Sequence, residues 1–501
     1  MNPLIDSRRW LLLLTVAGGL LLVTLDNSVL YTALPTLTEA LCASPSQSLW
    51  IINAYPLVMA GLLLGAGTLG DRIGHRRMFL IGQVLFGVAS LAAAFSSTPE
   101  QLIAARAFLA VGAAAMMPAT LALIGLSFHD PRERNLAIAI WGSVALIGAA
   151  LGPIIGGLLL QHFWWGAVFL INVPVVLLTL PATLWLAPQG QRDTSRPWDL
   201  VSSLLALVTL SGLVLAIKSV IATPASLATG GLAFAVAAIG AVAFVRRQRQ
   251  LPYPLLDFSI FRNPAFMAGT LSAIVTLFAL AGLQLLTTQR FQLVAGFTPL
   301  NAGLLVSVAA LGALPSALLG GGFLHRVGYR PLISGGLACA AVGVTLVAVG
   351  FQHGLPWVIT GMALTGVGTG AAISVASTAI ISNVPPHRVG MASSVEEVAY
   401  EFGGLFAVAV LGSLSAALYS LSLPLDPAIP EVARQGLVQA LDVARVAADP
   451  SWVDAAKGAY DTSYRWGLWL IVGVLVVGAA ATARLLRGPA GHPVAGANPV
   501  H

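Results

Sequence analysis

Fourteen stretches of this chain stay apolar for about twenty residues or more, and that repetition constrains the fold more than any other feature. The runs cover 10–34, 49–70, 78–97, 102–126, 135–160, 165–187, 199–221, 227–245, 265–289, 299–324, 331–351, 355–381, 390–420 and 463–486. A helix needs roughly 20 mainly apolar residues to cross about 30 Å of hydrocarbon, whereas a membrane strand needs only about ten. In lipid each backbone amide must be satisfied within the protein, so runs of this length are spanning helices. The expected fold is an all-α polytopic membrane protein with 14 transmembrane helices. Composition agrees: 9% of residues are charged, against roughly 25% in soluble domains, and mean hydropathy is +0.88. Soluble, disordered and fibrous classes are excluded. The N-terminal run resembles a signal peptide, but no small-residue cleavage site follows and Asp26 interrupts it, so it is read as a retained first span. Cys42 and Cys339 fall in a short loop and an apolar run, which implies neither disulfide nor metal nor thiol chemistry.

An even number of spans puts both termini on one side. Loops on that side carry eighteen of the 25 basic residues, the opposite loops carry six, and Arg106 lies inside a span. Basic residues concentrate on the cytoplasmic face, so both termini are expected there. The net charge of +6 then reflects topology, not affinity for nucleic acid. The loop 421–462 is long and external. Val432, Leu437, Leu441 and Ala444 recur in it at helical spacing, as expected for a solvated helical cap or for a gate over an outer vestibule.

The chain repeats itself. Residues 67–76 read GTLGDRIGHR and residues 321–330 read GGFLHRVGYR, so Gly67, Arg72, Gly74 and Arg76 match Gly321, Arg326, Gly328 and Arg330, while His325 replaces Asp71. Related halves of this kind place substrate near the midplane between them. The expected division is a six-helix bundle over 1–190, an inserted helix pair over 191–250, a second six-helix bundle over 251–487 and a tail over 488–501.

Four acids lie well inside spans: Asp26 in the first, and Glu396, Glu397 and Glu401 in the thirteenth; Arg106 in the fourth is the comparably placed base. A charge at the bilayer centre costs at least about 2.5–3.5 kcal/mol, so each needs a function or a partner. Glu397 and Glu401 share one helical face, and Tyr400 lies beside Glu396. Opposite halves thus offer carboxylates to what is expected to be one cavity. A charged cavity attracts cations, and burial favours protonation, so proton and cation compete for the same oxygens. A structural ion pair between Asp26 and Arg106 is the plainer alternative.

Glycines form the remaining pattern. Gly148, Gly152 and Gly156 recur every four residues in the fifth span, followed by Gly157 and interrupted by Pro153. The bare face lets a neighbouring helix approach, and the proline removes a backbone hydrogen bond. In the loop at 67–77, Gly67 and Gly74 permit close packing and turning, while Asp71, Arg72, Arg76 and Arg77 form a charge cluster suited to latching helix ends.

Taken together, GTLGDRIGHRR, Arg106 with Gly112, and GAALGPIIGG resemble the loop, fourth-helix and antiporter motifs of the major facilitator superfamily. LDNSVLYTALP, FLINVP, LLDFSIFRNPAF and VEEVAYEFGG resemble its fourteen-helix drug–proton antiporter branch, and with the large last outer loop the quaternary-ammonium and methyl-viologen efflux group. The resemblance covers essentially the whole chain. It implies that Asp26, Arg106, Glu396, Glu397 and Glu401 serve proton coupling and cation binding, and that Asp71 is a conformational latch. Two positions depart from the pattern: Asn53 stands where the branch commonly has an acid and cannot take up a proton, and Ala110 replaces a usual glycine. The tenth span holds no carboxylate.

The expected activity is proton-coupled export of lipophilic cations (quaternary ammonium compounds, biguanides, dyes such as ethidium, methyl viologen) by alternating access. Tyr31, Asn53, Tyr55, Trp141 and Tyr400 are candidate cavity-lining residues, the aromatics offering faces to a cation. The proton gradient is the expected driving force, with no cofactor or metal. Partners are protons, the transported cations and membrane lipids, not nucleic acid, and the chain is expected to act as a monomer. An enzyme would need nucleophile, base or ligand groupings at membrane depth, and an ATP-driven pump a G-x-x-x-x-G-K-[ST] loop; the sequence has neither. Transport of another metabolite or lipid remains the rival reading.

Overall fold

The computed structural model describes residues 3–128, 130–189, 199–221, 226–252, 254–384, 389–424, 426, 429–445 and 452–487. Their regular structure is helical. The helices are α1 (Pro3–Ala40), α2 (Pro45–Ile73), α3 (His75–Ala94), α4 (Pro99–Ser127), α5 (Pro131–His162), α6 (Ala167–Leu170), α7 (Asn172–Leu186), α8 (Leu200–Ile221) and α9 (Leu227–Gln250). They continue with α10 (Pro264–Leu293), α11 (Pro299–Val327), α12 (Tyr329–Gly350), α13 (Leu355–Ile381), α14 (Val389–Ala407), α15 (Ser413–Ser422), α16 (Leu437–Ala444) and α17 (Val453–Leu485). Among the described residues thirteen helices are long and apolar enough to span a membrane, and α2, bent by 57° between Leu63 and Gly65, makes a fourteenth. Glycines at 65 and 67 account for a bend there. The chain is therefore a multi-pass membrane protein of the kind its apolar runs predict.

Helix ends follow local chemistry. Ser44 caps α2 with a reciprocal capping box to Gln47, and Pro45 opens the helix. At α4 Thr98 accepts from Gln101 N and Pro99 opens the helix. The repeat is visible in the turns: Gly74 between α2 and α3 has φ +97°, and its counterpart Gly328 between α11 and α12 has φ +84°. Both sit in a backbone region that side chains disfavour, which explains why both copies keep a glycine at this turn. The side chains of Gly321, His325 and Arg326 lie outside the described residues, as do residues 190–198 and the tail 488–501.

Two compact units divide the chain. The first comprises residues 1–255, 284–307 and 408–464. Within it the glycine face of α5 is a packing seam. A side-chain carbon on Gly148 or Gly152 would run into Thr24 or Ser28 of α1, and one on Gly156 would come within 2.9 Å of Val29. Gly157 meets the backbone of Leu300, Gly303 meets Pro153 O, and Ser307 Oγ donates to Ala150 O at 2.8 Å. Gly82 and Gly112 bring α3 and α4 together in the same way. The inserted pair packs on α2 through Leu207 against Gly61.

The described part of the long loop 421–462 folds on this unit. Leu437, Ala440, Ala433, Trp452, Ala456 and Tyr460 join Tyr419 in one buried cluster. Gln439 Nε2 donates to Ala43 O at 3.1 Å, and Arg445 pairs with Glu39 at 2.5 Å. A cavity of about 90 Å³ lies between this cap and the ends of α1, α2, α10 and α15. The helix is shorter than its spacing predicts. Val432 sits in a separate 3-10 turn, Glu431–Arg434, and is 47% exposed. The final helix begins at Val453, ten residues before the apolar run: Ala456, Ala459 and Tyr460 are buried on its inner face, and Arg290 donates to Asp461 at 2.9 Å.

The second unit comprises residues 256–283, 308–407 and 465–501. Here α12 and α13 cross at Gly336–Gly368 and Gly343–Gly361, and Gly403 of α14 sits on the Ile274 carbonyl of α10. These contacts fix the helix that carries the glutamates.

Candidate functional site

In the first unit α1, α3, α4 and α7 build a polar knot in an otherwise apolar bundle. Asp26 and Arg106 are 2% and 0% exposed. Arg106 donates through one terminal nitrogen to Asp26 Oδ2, through the other to Asn27 Oδ1 at 3.4 Å, and through Nε to Ile51 O at 3.3 Å. Asn172, at the start of α7, donates to Asp26 Oδ1 at 3.0 Å and to Ser90 Oγ of α3 at 3.2 Å. Tyr55 of α2 lays its ring 4.6 Å from the guanidinium carbon. Opposite charges, three further donors or acceptors and a ring face together offset much of the desolvation cost of this pair. Asn172 was not singled out from the sequence, although it lies inside the quoted FLINVP segment. An uncharged amide in an apolar run gives little signal.

Asn53 is fully buried, and among the described residues neither polar atom of its side-chain amide has a hydrogen-bond partner. Trp141 is half-buried, its Nε1 also without a hydrogen-bond partner among the described residues, and Tyr31 is half-buried on α1.

In the second unit α14 presents the three glutamates. Glu396 is buried, and accepts a hydrogen bond from Tyr400 OH at 2.8 Å; Glu397, Tyr400 and Glu401 are half-buried. Four residues separate Glu396 from Tyr400 and Glu397 from Glu401, so the helix pairs them on adjacent faces. Five residues beyond Gly403 the same span winds into a π-helical turn, Val408–Gly412, which joins α14 to α15. Such turns are frequent at functional sites.

The loop cluster is also assembled. Asp71 Oδ1 lies 3.1 Å from Nε2 of His75, the first residue of α3. Arg76 donates to Leu184 O at the end of α7, while Arg72 is exposed and Gly67 is packed against Pro118.

A further base is buried at a helix end: Lys218, in the last turn of α8, is 9% exposed, donates to Ser46 O at the start of α2 at 3.2 Å and lies 4.5 Å from the centre of the Trp50 ring. The long stem lets the ammonium fold back from the helix end onto an aromatic face and a carbonyl.

Comparison with known proteins gives a consistent result. A multidrug efflux pump of Mycolicibacterium smegmatis, LfrA, is 37% identical over 95% of both chains. The methyl viologen resistance protein SmvA of Salmonella typhimurium is 36% identical over 85% of this chain and 87% of its own. The tetracenomycin C resistance and export protein of Streptomyces glaucescens is 33% identical over 89% of this chain and 83% of its own. Among solved structures, a bacterial homologue of the lysosomal transporter Spinster, inward-facing and occupied, aligns with TM-score 0.65 at 17% identity over 97% of this chain and 98% of its own. A D-xylose–proton symporter aligns with TM-score 0.62 at 14% identity over 95% and 97% of the two chains. These two likenesses concern the fold. The profile of the Major Facilitator Superfamily matches residues 16–408 and 286–499, and the chain belongs to that family of membrane transporters.

Proposed function

We propose that this transporter exports lipophilic cationic drugs from the cytoplasm in exchange for protons, with both termini on the cytoplasmic side of a bacterial inner membrane. Family membership makes it a transporter and not an enzyme. The observation that carries the cationic, proton-linked reading is the set of three carboxyl groups within six residues of one membrane helix, Glu396, Glu397 and Glu401, with Tyr400 donating to the first. Carboxyl groups at membrane depth are costly unless they bind protons or cations. The names of the relatives, a multidrug efflux pump and a methyl viologen resistance protein, agree with a substrate that is apolar and positively charged.

In this mechanism the glutamates of α14 hold protons when no drug is present. A cation entering from the cytoplasm displaces them, and protons from outside displace the cation after the helices rearrange. Asp26 plays a different part. Its carboxylate is enclosed by Arg106 and Asn172, so a proton reaches it only as the ion pair opens, which ties protonation to movement of α1 against α4. Each proton exchanged down a pH difference of one unit supplies about 1.4 kcal/mol. Each net charge moved through 100 mV supplies about 2.3 kcal/mol.

Proteoliposomes with an imposed pH gradient test this reading, using ethidium and methyl viologen as probes. Glu396→Gln, Glu397→Gln, Glu401→Gln and Asp26→Asn are each expected to lose most gradient-driven uptake. Wild-type uptake and pH dependence in all four would sink the coupling assignment. Uptake of an anionic or neutral panel in preference to cations would sink the substrate class.

A further inference from the structure

Two arginines from different helices meet at the end of α7. Arg76, the second residue of α3, donates to Leu184 O at 2.5 Å, and Arg8 of α1 donates to the next carbonyl, Trp185 O, at 3.4 Å. The Arg8 guanidinium carbon also lies 5.2 Å from the centre of the Trp185 ring, which is itself 68% exposed. The last carbonyls of a helix lack intrahelical partners and carry about half a negative charge, so basic side chains are favourable there. Two full positive charges exceed that need. Among the described residues neither arginine has a carboxylate partner, in contrast with the adjacent Arg9, which pairs with Glu133 at 2.6 Å. Each guanidinium has five N–H donors, and among the described residues each makes one hydrogen bond, so most of its donor capacity is unspent; Arg8 is exposed and Arg76 half-buried.

The surface beside this group is apolar. Leu14 of α1, Val84 of α3 and Leu178 of α7 are 65%, 48% and 73% exposed, and α7 packs between α1 and α3. Tryptophan with arginine at a span end marks the boundary between headgroups and hydrocarbon. We propose that Arg8, Arg76 and Trp185 form a binding site for the phosphate of an anionic phospholipid, with its acyl chains lying along α1, α3 and α7. A free phosphate would satisfy the arginines but not the apolar surface that continues from them, so the occupant is a lipid. Its headgroup would brace the ends of the helices that supply Asp26 and Asn172.

Native mass spectrometry of the purified full chain, titrated with phosphatidylglycerol or phosphatidylcholine, tests the site. The wild type is expected to hold phosphatidylglycerol more tightly. Arg8→Gln with Arg76→Gln is expected to weaken the tightest phosphatidylglycerol adduct by roughly tenfold, leaving phosphatidylcholine unchanged. Arg8→Lys with Arg76→Lys should keep most of the binding, and Trp185→Ala, which leaves both charges, should lose part of it. Undiminished phosphatidylglycerol binding in the double glutamine variant overturns the proposal. If that variant does not fold, equal binding by wild type and Trp185→Ala overturns it. Displacement of the lipid by millimolar inorganic phosphate would assign the arginines to a soluble anion instead.

Discussion

Asn172 donates a hydrogen bond to Asp26 at 3.0 Å, so the buried acid is held from α7 as well as from Arg106 on α4. The same amide reaches Ser90 on α3, and one side chain thereby fixes three helices around a carboxylate. Removing a buried hydrogen bond to a charged group costs about 1.5–3 kcal/mol. Asn172→Ala is expected to lower the melting temperature of the purified protein and to reduce ethidium efflux. Asn172→Asp, which sets a second carboxylate beside the first, should be the more damaging change. Scanning fluorimetry and efflux on the same variants check the order; an aspartate variant as good as wild type would remove Asn172 from the network.

Asp26 and Arg106 depend on each other in a way a double-mutant cycle can read. Removing one member of a buried ion pair strands the other, at about 3–5 kcal/mol, whereas replacing both by apolar residues of similar size is often nearly neutral for stability. Arg106→Met alone is therefore expected to yield little folded protein. Arg106→Met combined with Asp26→Leu should recover much of the yield while remaining inactive in transport. Recovery of neither would mean that Arg106 acts mainly through Ile51 O and Tyr55.

How much of this was legible beforehand varied with the strength of the physical signal. Spanning helices are written as long apolar runs because lipid tolerates little else, and the turn glycines Gly74 and Gly328 announced themselves by repetition. The acids of α14 stood out because charge is rare at that depth. Asn172 and Ser90 did not, since uncharged polar residues are common in membrane helices and reveal their role only when a partner helix arrives. The burial of Lys218 was not legible either, since sequence position near a helix end says nothing of the direction in which a long side chain folds. The first turns of α17 read as loop, because Asp454, Lys457 and Asp461 mask the buried face formed by Ala456, Ala459 and Tyr460.

Tyr400 and Glu396 form a second testable pair. The phenol is the donor in a 2.8 Å hydrogen bond one turn along α14. If Tyr400 acts on transport through this carboxyl group, Tyr400→Phe and Glu396→Gln should not add: the double variant is expected to be no worse than Glu396→Gln alone. Initial rates of methyl viologen efflux decide. Fully additive losses would place Tyr400 in direct contact with substrate instead.

The α1–α5 seam has no room for side chains. A carbon added at Gly152 would overlap Ser28 Oγ and approach its Cβ to 2.8 Å. Gly152→Ala is expected to force the two helices apart, at about 1–3 kcal/mol for overpacking, and to lower efflux. Ser28→Gly removes the atoms in the way and should restore part of both. Failure of the second change to help would show that the loss arises from the backbone of α5 and not from crowding against α1.

Asp199, the residue before α8, gives the inserted pair a pH signature. It accepts from Ser202 N at 3.1 Å and from Arg247 Nε and a terminal nitrogen at 3.1 and 2.8 Å. Burial pushes its carboxyl upward, but hydrogen bonds from Arg247 and Ser202 outweigh it and hold the group below its ordinary value. A depressed folded value means that the clamp contributes fully above the unfolded value, about 3.9, and is lost as pH falls through the folded one. Arg247 is 38% exposed, so solvent screening keeps the expected contribution to about 1 kcal/mol. Asp199→Asn should therefore melt lower than wild type near neutral pH, and the gap should close as the buffer is taken below about pH 4. A gap of constant size from neutral to strongly acid buffer would show that the charge on Asp199 does not hold α8 to α9.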